Sequence, residues 1–235
     1  MDLLWLATIF ESKFEITTNI IGHDPGDDAQ LKVLNRIISV EADGFTYEPD
    51  AKHAEIMIRE LGLQRAKSVA TPVADAHHES EELLDHERFK MYQSLRARRN
   101  FLAVDRIDIQ VASKERCRSM ARPTVKDWAK LKRIGRYLVG KPRMVYKYKS
   151  QEEVEFLTAY SDSNWASNID DRRSTSGGII LHGSHYIKSW NTTQSLVALC
   201  SSEAELMRSR QVQLRGLRVQ VDCAGPGQGF RCSRV

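Results

Sequence analysis

The sequence predicts an α+β protein, and three observations carry that prediction. A stretch rich in Val, Ile, Phe and Tyr over residues 31–50 is interrupted by Asp43-Gly44, a two-residue hairpin signal. Trp128, Leu131, Ile134 and Leu138 recur at spacings of 3, 3 and 4, the stripe of a helix with one buried face. From residue 154 onward, three strand-like runs follow one another and lead into a helix.

The elements read as follows. Residues 1–21 predict a short helix and then a strand over "KFEITTNIIG". "GHDPGDDAQ" is a turn punctuated by Pro25 and Gly26, which makes Asp27-Asp28 a surface pair rather than a metal site. Two strands joined at Asp43-Gly44 come next. A helix follows, with Asp50 as its cap, an apolar face of Ala54, Ile56, Met57, Ile58 and Leu61, and Gly62 as its stop. The His- and acid-rich stretch to residue 87 reads as a linker, and its His77, His78 and His86 as solvent-facing. Phe89, Tyr92, Leu95 and Leu102 fall near one face of a long helix, with Arg96, Arg98 and Arg99 elsewhere on its surface. A second helical piece continues toward Pro123. Thr124 and Asp127 then have capping-box spacing before the Trp128 stripe, Gly140 and Pro142 stop that helix, and "RMVYKYK" reads as a strand.

Charge is divided unevenly along the 235 residues. Residues 1–87 hold 7 Lys/Arg against 18 Asp/Glu, residues 88–149 hold 19 against 4, and residues 150–235 hold 9 of each. The middle segment therefore suits a polyanion, and Arg96, Arg99, Lys126, Lys130, Arg133 and Arg136 are its candidate phosphate contacts. An apolar fraction of 41% and a charged fraction of 28% exclude a disordered or fibrous chain. The four cysteines have no metal-site spacing and read as free thiols. The apolar start is too short for a membrane span and lacks the marks of a signal peptide. These features point to an intracellular protein, cytoplasmic or nuclear, without a membrane partner.

The stretch "YSDSNWASNIDDRRSTSGG" at residues 160–178 raises the chemical question. The strand "VEFLTAYSD" climbs to Asp162. "SGGIILHG" and "HYIKSWNT" are the next two strands, turning at Gly183-Ser184, and a helix starts near Ser201 or Ser202. Glu205 has two readings. With Ser202 it fits the capping box S-x-x-E. Alternatively, an acid on a first strand and an acid on the helix after a third strand converge on a pocket for two divalent cations, which hard oxygen ligands would make Mg²⁺ or Mn²⁺. Spacing alone does not decide between them.

The Tyr-Ser-Asp-x-x-Trp-Ala run, Asp-Asp-Arg-Arg-Ser-Thr-Ser-Gly, Ser189-Trp190 and Val197-Ala198-Leu199 before Ser-Ser-Glu-Ala-Glu-Leu together resemble the ribonuclease H region of copia-type retrotransposon polyproteins. Upstream, "LNRIISVEADGFTYEPDAKHAEIMIRELGL", "YQSLRARRNFLAVDRIDIQVASK" and "DWAKLKRIGRYLVGKPRMVY" resemble the end of the reverse transcriptase of the same polyprotein. The resemblance implies a palm/thumb remnant (1–72), an acidic linker (73–87), a basic helical thumb and connection (88–149), a partial ribonuclease H-like domain of three antiparallel strands and a helix (150–208), and a divergent tail (209–235). It implies Asp162 and Glu205, with Glu203 as the alternative, as catalytic and metal-binding acids for Mg²⁺ or Mn²⁺. It also implies an RNA–DNA hybrid, or another nucleic acid, and the rest of the polyprotein as partners.

Two departures temper the activity. The Tyr-x-Asp-Asp motif of the polymerase is absent, so no polymerase site can be built. After Met207 the text stops resembling the family, which would continue the helix and add a fourth strand bearing a further acid. Asp222, at the end of "LRVQVD", is a poor substitute, and a reading-frame change there would explain the break. With two of four acids, Mg²⁺ would be held weakly, and little or no nuclease activity is expected. A binding module that does not cut, and a decayed reading frame, are the alternatives.

Overall fold

The computed structural model describes residues 3–73, 80–115, 122–154, 156–168, 171–223 and 229–234. The first helix, α1 (Leu3–Lys13), is apolar, yet Trp5, Phe10 and Phe14 stay exposed. The strand expected after it does not form. A strand needs a neighbour for its backbone groups, and in this stretch Ile21 alone finds one, in an isolated bridge with Asp28.

Three strands then replace the expected two: β1 (Gln30–Val33), β2 (Arg36–Glu41) and β3 (Gly44–Glu48), paired antiparallel in that order. The unforeseen turn is Leu34-Asn35, where both residues have positive φ (50° and 64°) and fold β1 back on β2. Leucine seldom adopts that conformation, so composition gives no warning of it. The N-cap of α2 (Lys52–Glu60) is Ala51, without a side-chain cap bond, rather than the expected Asp50; Asp50, one residue earlier, accepts from the Lys52 N–H through Oδ1 at 2.8 Å.

The basic segment forms α3 (His86–Asp105), α4 (Ile107–Glu115) and α5 (Val125–Gly140). The Thr124/Asp127 capping box is complete in both directions. Met57, Leu95, Leu102, Ile109, Leu131, Ile134 and Leu138 from α2–α5 make the larger core. His77 and His78 lie outside the described residues. Beyond α5, β4 (Tyr146–Lys149) does not begin a new unit. It returns to pair antiparallel with β3, so the first sheet spans the boundary expected between the palm remnant and the basic helices.

The second sheet is built on β5 (Phe156–Asn164), β6 (Thr175–His182) and β7 (His185–Thr193), antiparallel neighbours as expected, with Gly183 (φ +61°) in the turn. Two expectations about the tail are corrected. Helix α6 runs through Ser201–Cys223, so Asp222 ends a helix rather than a strand. A fourth strand, β8 (Gly229–Arg234), lies parallel to β5 and gives the order β7-β6-β5-β8. The sheet is thus not an incomplete three-stranded one. An apolar β5 edge leaves backbone groups unpaired, and a helix followed by a parallel strand is the usual way to cover one.

Leu157, Ala159, Ile180 and Trp190 pack with Val212 of α6 in the smaller core. Gly178 makes that packing fit, because a Cβ there would lie 2.3 Å from Trp190 Cζ2. Gly178→Ala is expected to cost about 1–3 kcal/mol by overpacking, read as a lower urea midpoint at unchanged slope. Side-chain bonds join the two sheets and the helices. Tyr148 Oη donates to the Tyr186 carbonyl (3.1 Å), Ser189 Oγ to Gln110 Oε1 (3.0 Å) and Lys114 Nζ to Thr175 Oγ1 (2.9 Å). Among the described residues no helix is long and apolar enough to cross a membrane.

Candidate functional site

Strand parity decides where the two candidate acids point. Successive side chains of a strand face opposite sides of its sheet. On β5, Leu157, Ala159 and Ser161 are buried, and Ser163 Oγ donates to Glu205 Oε1 at 2.7 Å. That row faces α6. Asp162 belongs to the other row, with Phe156, Thr158 and Tyr160, and is exposed. Asp162, expected beside Glu205, thus falls in the row opposite the one that meets Glu205 through Ser163.

Glu205 is also occupied. Its Oε2 is 2.6 Å from Arg208 Nη2, and Arg208, 3% exposed, donates through Nη1 to the Ser161 carbonyl. This partner was missed in the sequence, although Glu205 and Arg208 have the i,i+3 spacing of a helical ion pair. The capping reading of Glu205 yields to the same geometry. The alternative acid, Glu203, accepts from the Leu199 N–H at 2.7 Å, so it fastens the loop onto the start of α6.

The residues present do not fit a Mg²⁺ or Mn²⁺ site. A divalent cation asks for several convergent, uncompensated oxygens. Here one carboxylate is neutralised by Arg208 and the other faces away. Strand β8 reads Gly-Phe-Arg-Cys-Ser-Arg, without an acid, with Arg234 in register beside Ser161. No group of three His, Cys, Asp or Glu able to hold a metal ion occurs among the described residues. His182 and His185 are structural, bonding the carbonyls of Val154 (2.9 Å) and Lys149 (2.7 Å). Asp171 is exposed beside Arg173, and Asp170 lies outside the described residues.

The six candidate phosphate contacts divide. Arg96 and Arg99 are each 1% exposed, which corrects their placement on an accessible basic face. They share the α3 face of Tyr92, Leu95 and Leu102, and a phosphate cannot reach them there. Lys126, Lys130, Arg133 and Arg136 stay at the surface of α5, at spacings of 4, 3 and 3 that gather them into one ridge. Lys126 is paired with Glu81 at 2.7 Å. Arg133 and Arg136 are held by neutral acceptors, the Thr71 hydroxyl (2.9 Å) and the Lys67 carbonyl (2.8 Å). Their guanidinium groups are oriented without being neutralised by those bonds.

No protein-family model matches the chain. It is 34% identical over 154 residues to the retrovirus-related Pol polyprotein from transposon RE2 of Arabidopsis thaliana, covering 63% of this chain and 10% of that one. It is 35% identical over 153 residues to the corresponding polyprotein from transposon RE1, with the same coverage. The chain therefore spans about a tenth of the length of those relatives. It is also 30% identical over 156 residues to the uncharacterized mitochondrial protein AtMg00810 of the same plant, covering 66% of this chain and 64% of that one.

Proposed function

The chain belongs to the copia-type retrotransposon Pol polyproteins, as a fragment of one, and we propose that within that family it is a nucleic-acid-holding module whose ribonuclease H-type site does not cut. The observation that carries this reading is the disposition of charge. Of the two candidate acids, Glu205 is compensated by Arg208 and Asp162 lies in the opposite row of β5, whereas Arg133 and Arg136 are presented on α5 by neutral anchors. Such a ridge suits a duplex backbone, where affinity comes from neutralising phosphates and falls steeply with salt. The RNA–DNA hybrid handled by a Pol polyprotein is the duplex it fits. The remaining Pol segments are its partners in a complete polyprotein.

Binding and cleavage of a labelled RNA–DNA hybrid in Mg²⁺ or Mn²⁺ test the reading. No metal-dependent cleavage is expected. Binding is expected to weaken as salt rises, with a log–log slope of about −3 to −4 for four phosphate contacts. The double substitution Arg133→Glu, Arg136→Glu is expected to reduce that slope by about 2. Metal-dependent cutting that disappears in Asp162→Asn would restore the catalytic reading, and salt-insensitive or absent hybrid binding would remove the ridge.

A further inference from the structure

An open groove of about 790 Å³ lies between the first sheet, the α3–α4 junction and β7. Its size is that of a site for a small organic ligand, and its walls are aromatic. The β3–β4 register sets Phe45 opposite Tyr148 and Tyr47 opposite Tyr146, so four rings share one sheet face. Phe45 and Tyr148 are stacked at 5.0 Å with 13° between planes, and Tyr146 stacks on Tyr186 at 5.0 Å and 16°.

The polar ends of these rings are turned into the protein. Tyr146 Oη donates to the Asp105 carbonyl at 2.7 Å, Tyr148 Oη to the Tyr186 carbonyl, and Tyr186 Oη shares a hydrogen bond with Ser189. What remains for a ligand is ring face. Phe45, which has no polar end, is 46% exposed. Lys188 also lines the groove and is exposed. Gln110 accepts from Ser189 through its carbonyl oxygen, and its amide NH₂ is not used in that bond.

The shape of the walls selects the occupant. Near-parallel rings extend a stack when another flat ring joins them, which an aliphatic side chain cannot do. The lining carries one carboxylate, Asp105, which is paired with Arg36 at 2.7 Å, and one lysine, Lys188, which suits an anionic link between successive flat rings. We propose that this groove stacks unpaired bases of a single-stranded nucleic acid, with Phe45 and Tyr148 as the platform and Lys188 toward the phosphates. The inference rests on the reading of the chain as a nucleic-acid holder, but it assigns single strands to a site separate from the α5 ridge.

Fluorescence anisotropy of the full chain with a labelled single-stranded oligoadenylate and, separately, an RNA–DNA hybrid tests both sites. Phe45→Leu is expected to weaken the single strand about 5- to 100-fold while leaving the hybrid unchanged, and Phe45→Tyr to restore it. Arg133→Glu with Arg136→Glu should weaken the hybrid. Single-strand binding indifferent to Phe45→Leu overturns the groove and leaves the ridge reading standing. Phe45-dependent single-strand binding in a chain that never binds the hybrid keeps the groove and overturns the ridge. A dimer in sedimentation that dissociates on Phe45→Leu overturns the proposal by making a second copy the occupant.

Discussion

Replacing Arg96 with methionine is expected to stabilise the chain by about 3 kcal/mol. Arg96 sits on α3 at 1% exposure, and among the described residues none of its three guanidinium nitrogens has a hydrogen-bond partner. A buried charge without a counter-charge or acceptor bears the full cost of desolvation, and exchange of buried ions for apolar side chains of similar volume often gains about 1–4 kcal/mol. Methionine keeps the unbranched length, propagates a helix well and adapts to irregular space. For a chain of this size the gain corresponds to a rise of roughly 6–12 °C in Tm. Arg106→Met is the control. Arg106 is 2% exposed but bonds Asp108 and the carbonyls of Lys141 and Pro142, so its loss should destabilise. Urea and thermal midpoints of the two variants decide the matter. A fall with Arg96→Met would mean that the guanidinium has a partner after all.

The buried arginines also show where the sequence was legible and where it was misread. Positions 92, 95, 96, 99, 102 and 103 are one helical face by spacing alone, and all six are buried. The charge excess of the segment points Arg96 and Arg99 to the surface, whereas the helical period sets them on the buried face. Parity on β5 was equally available: Leu157 and Ala159 are the buried row, so Asp162 falls in the opposite one. The capping box of α5 and the Gly183 turn are readable because each is settled within a few residues. The return of β4 to β3 and of β8 to β5 is not. Those pairings join residues about a hundred and about seventy positions apart, and they depend on which edge lacks a neighbour rather than on any local signal. The aromatic groove is of the same kind. Its rings come from three strands, and only the register brings them together.

Asp108→Asn is expected to cost about 3 kcal/mol at neutral pH, because it strips the counter-charge from a buried guanidinium while keeping the shape of the side chain. Arg106 Nε and Nη2 reach the two oxygens of Asp108 at 2.9 and 2.7 Å. Tyr137 Oη, from α5, donates to Oδ2 at 3.0 Å. The cluster thus ties the α3–α4 junction to α5 and to the chain that leads into β4. Burial pushes the Asp108 carboxyl up, but the Arg106 and Tyr137 bonds outweigh it and hold it below the usual carboxylate range. Burial first, and the neighbouring Asp108 second, push Tyr137 up to about 12. The signs follow from linkage. A depressed carboxyl stabilises fully above its unfolded value of about 3.9 and loses that contribution as pH falls through the folded value. A raised tyrosine stabilises fully below about 10 and loses its contribution as pH climbs toward the folded value. Asp108→Asn should therefore narrow its gap to the parent chain in acid and flatten the alkaline loss, since the charge that helps raise Tyr137 is gone. Tyr137→Phe should cost less, about 1.5–3 kcal/mol for a bond to a charged group, and remove the alkaline loss contributed by Tyr137. Urea midpoints from acid to alkaline pH measure all three. A gap between Asp108→Asn and the parent that stays constant into strong acid would show that the carboxylate charge is not what holds these helices together.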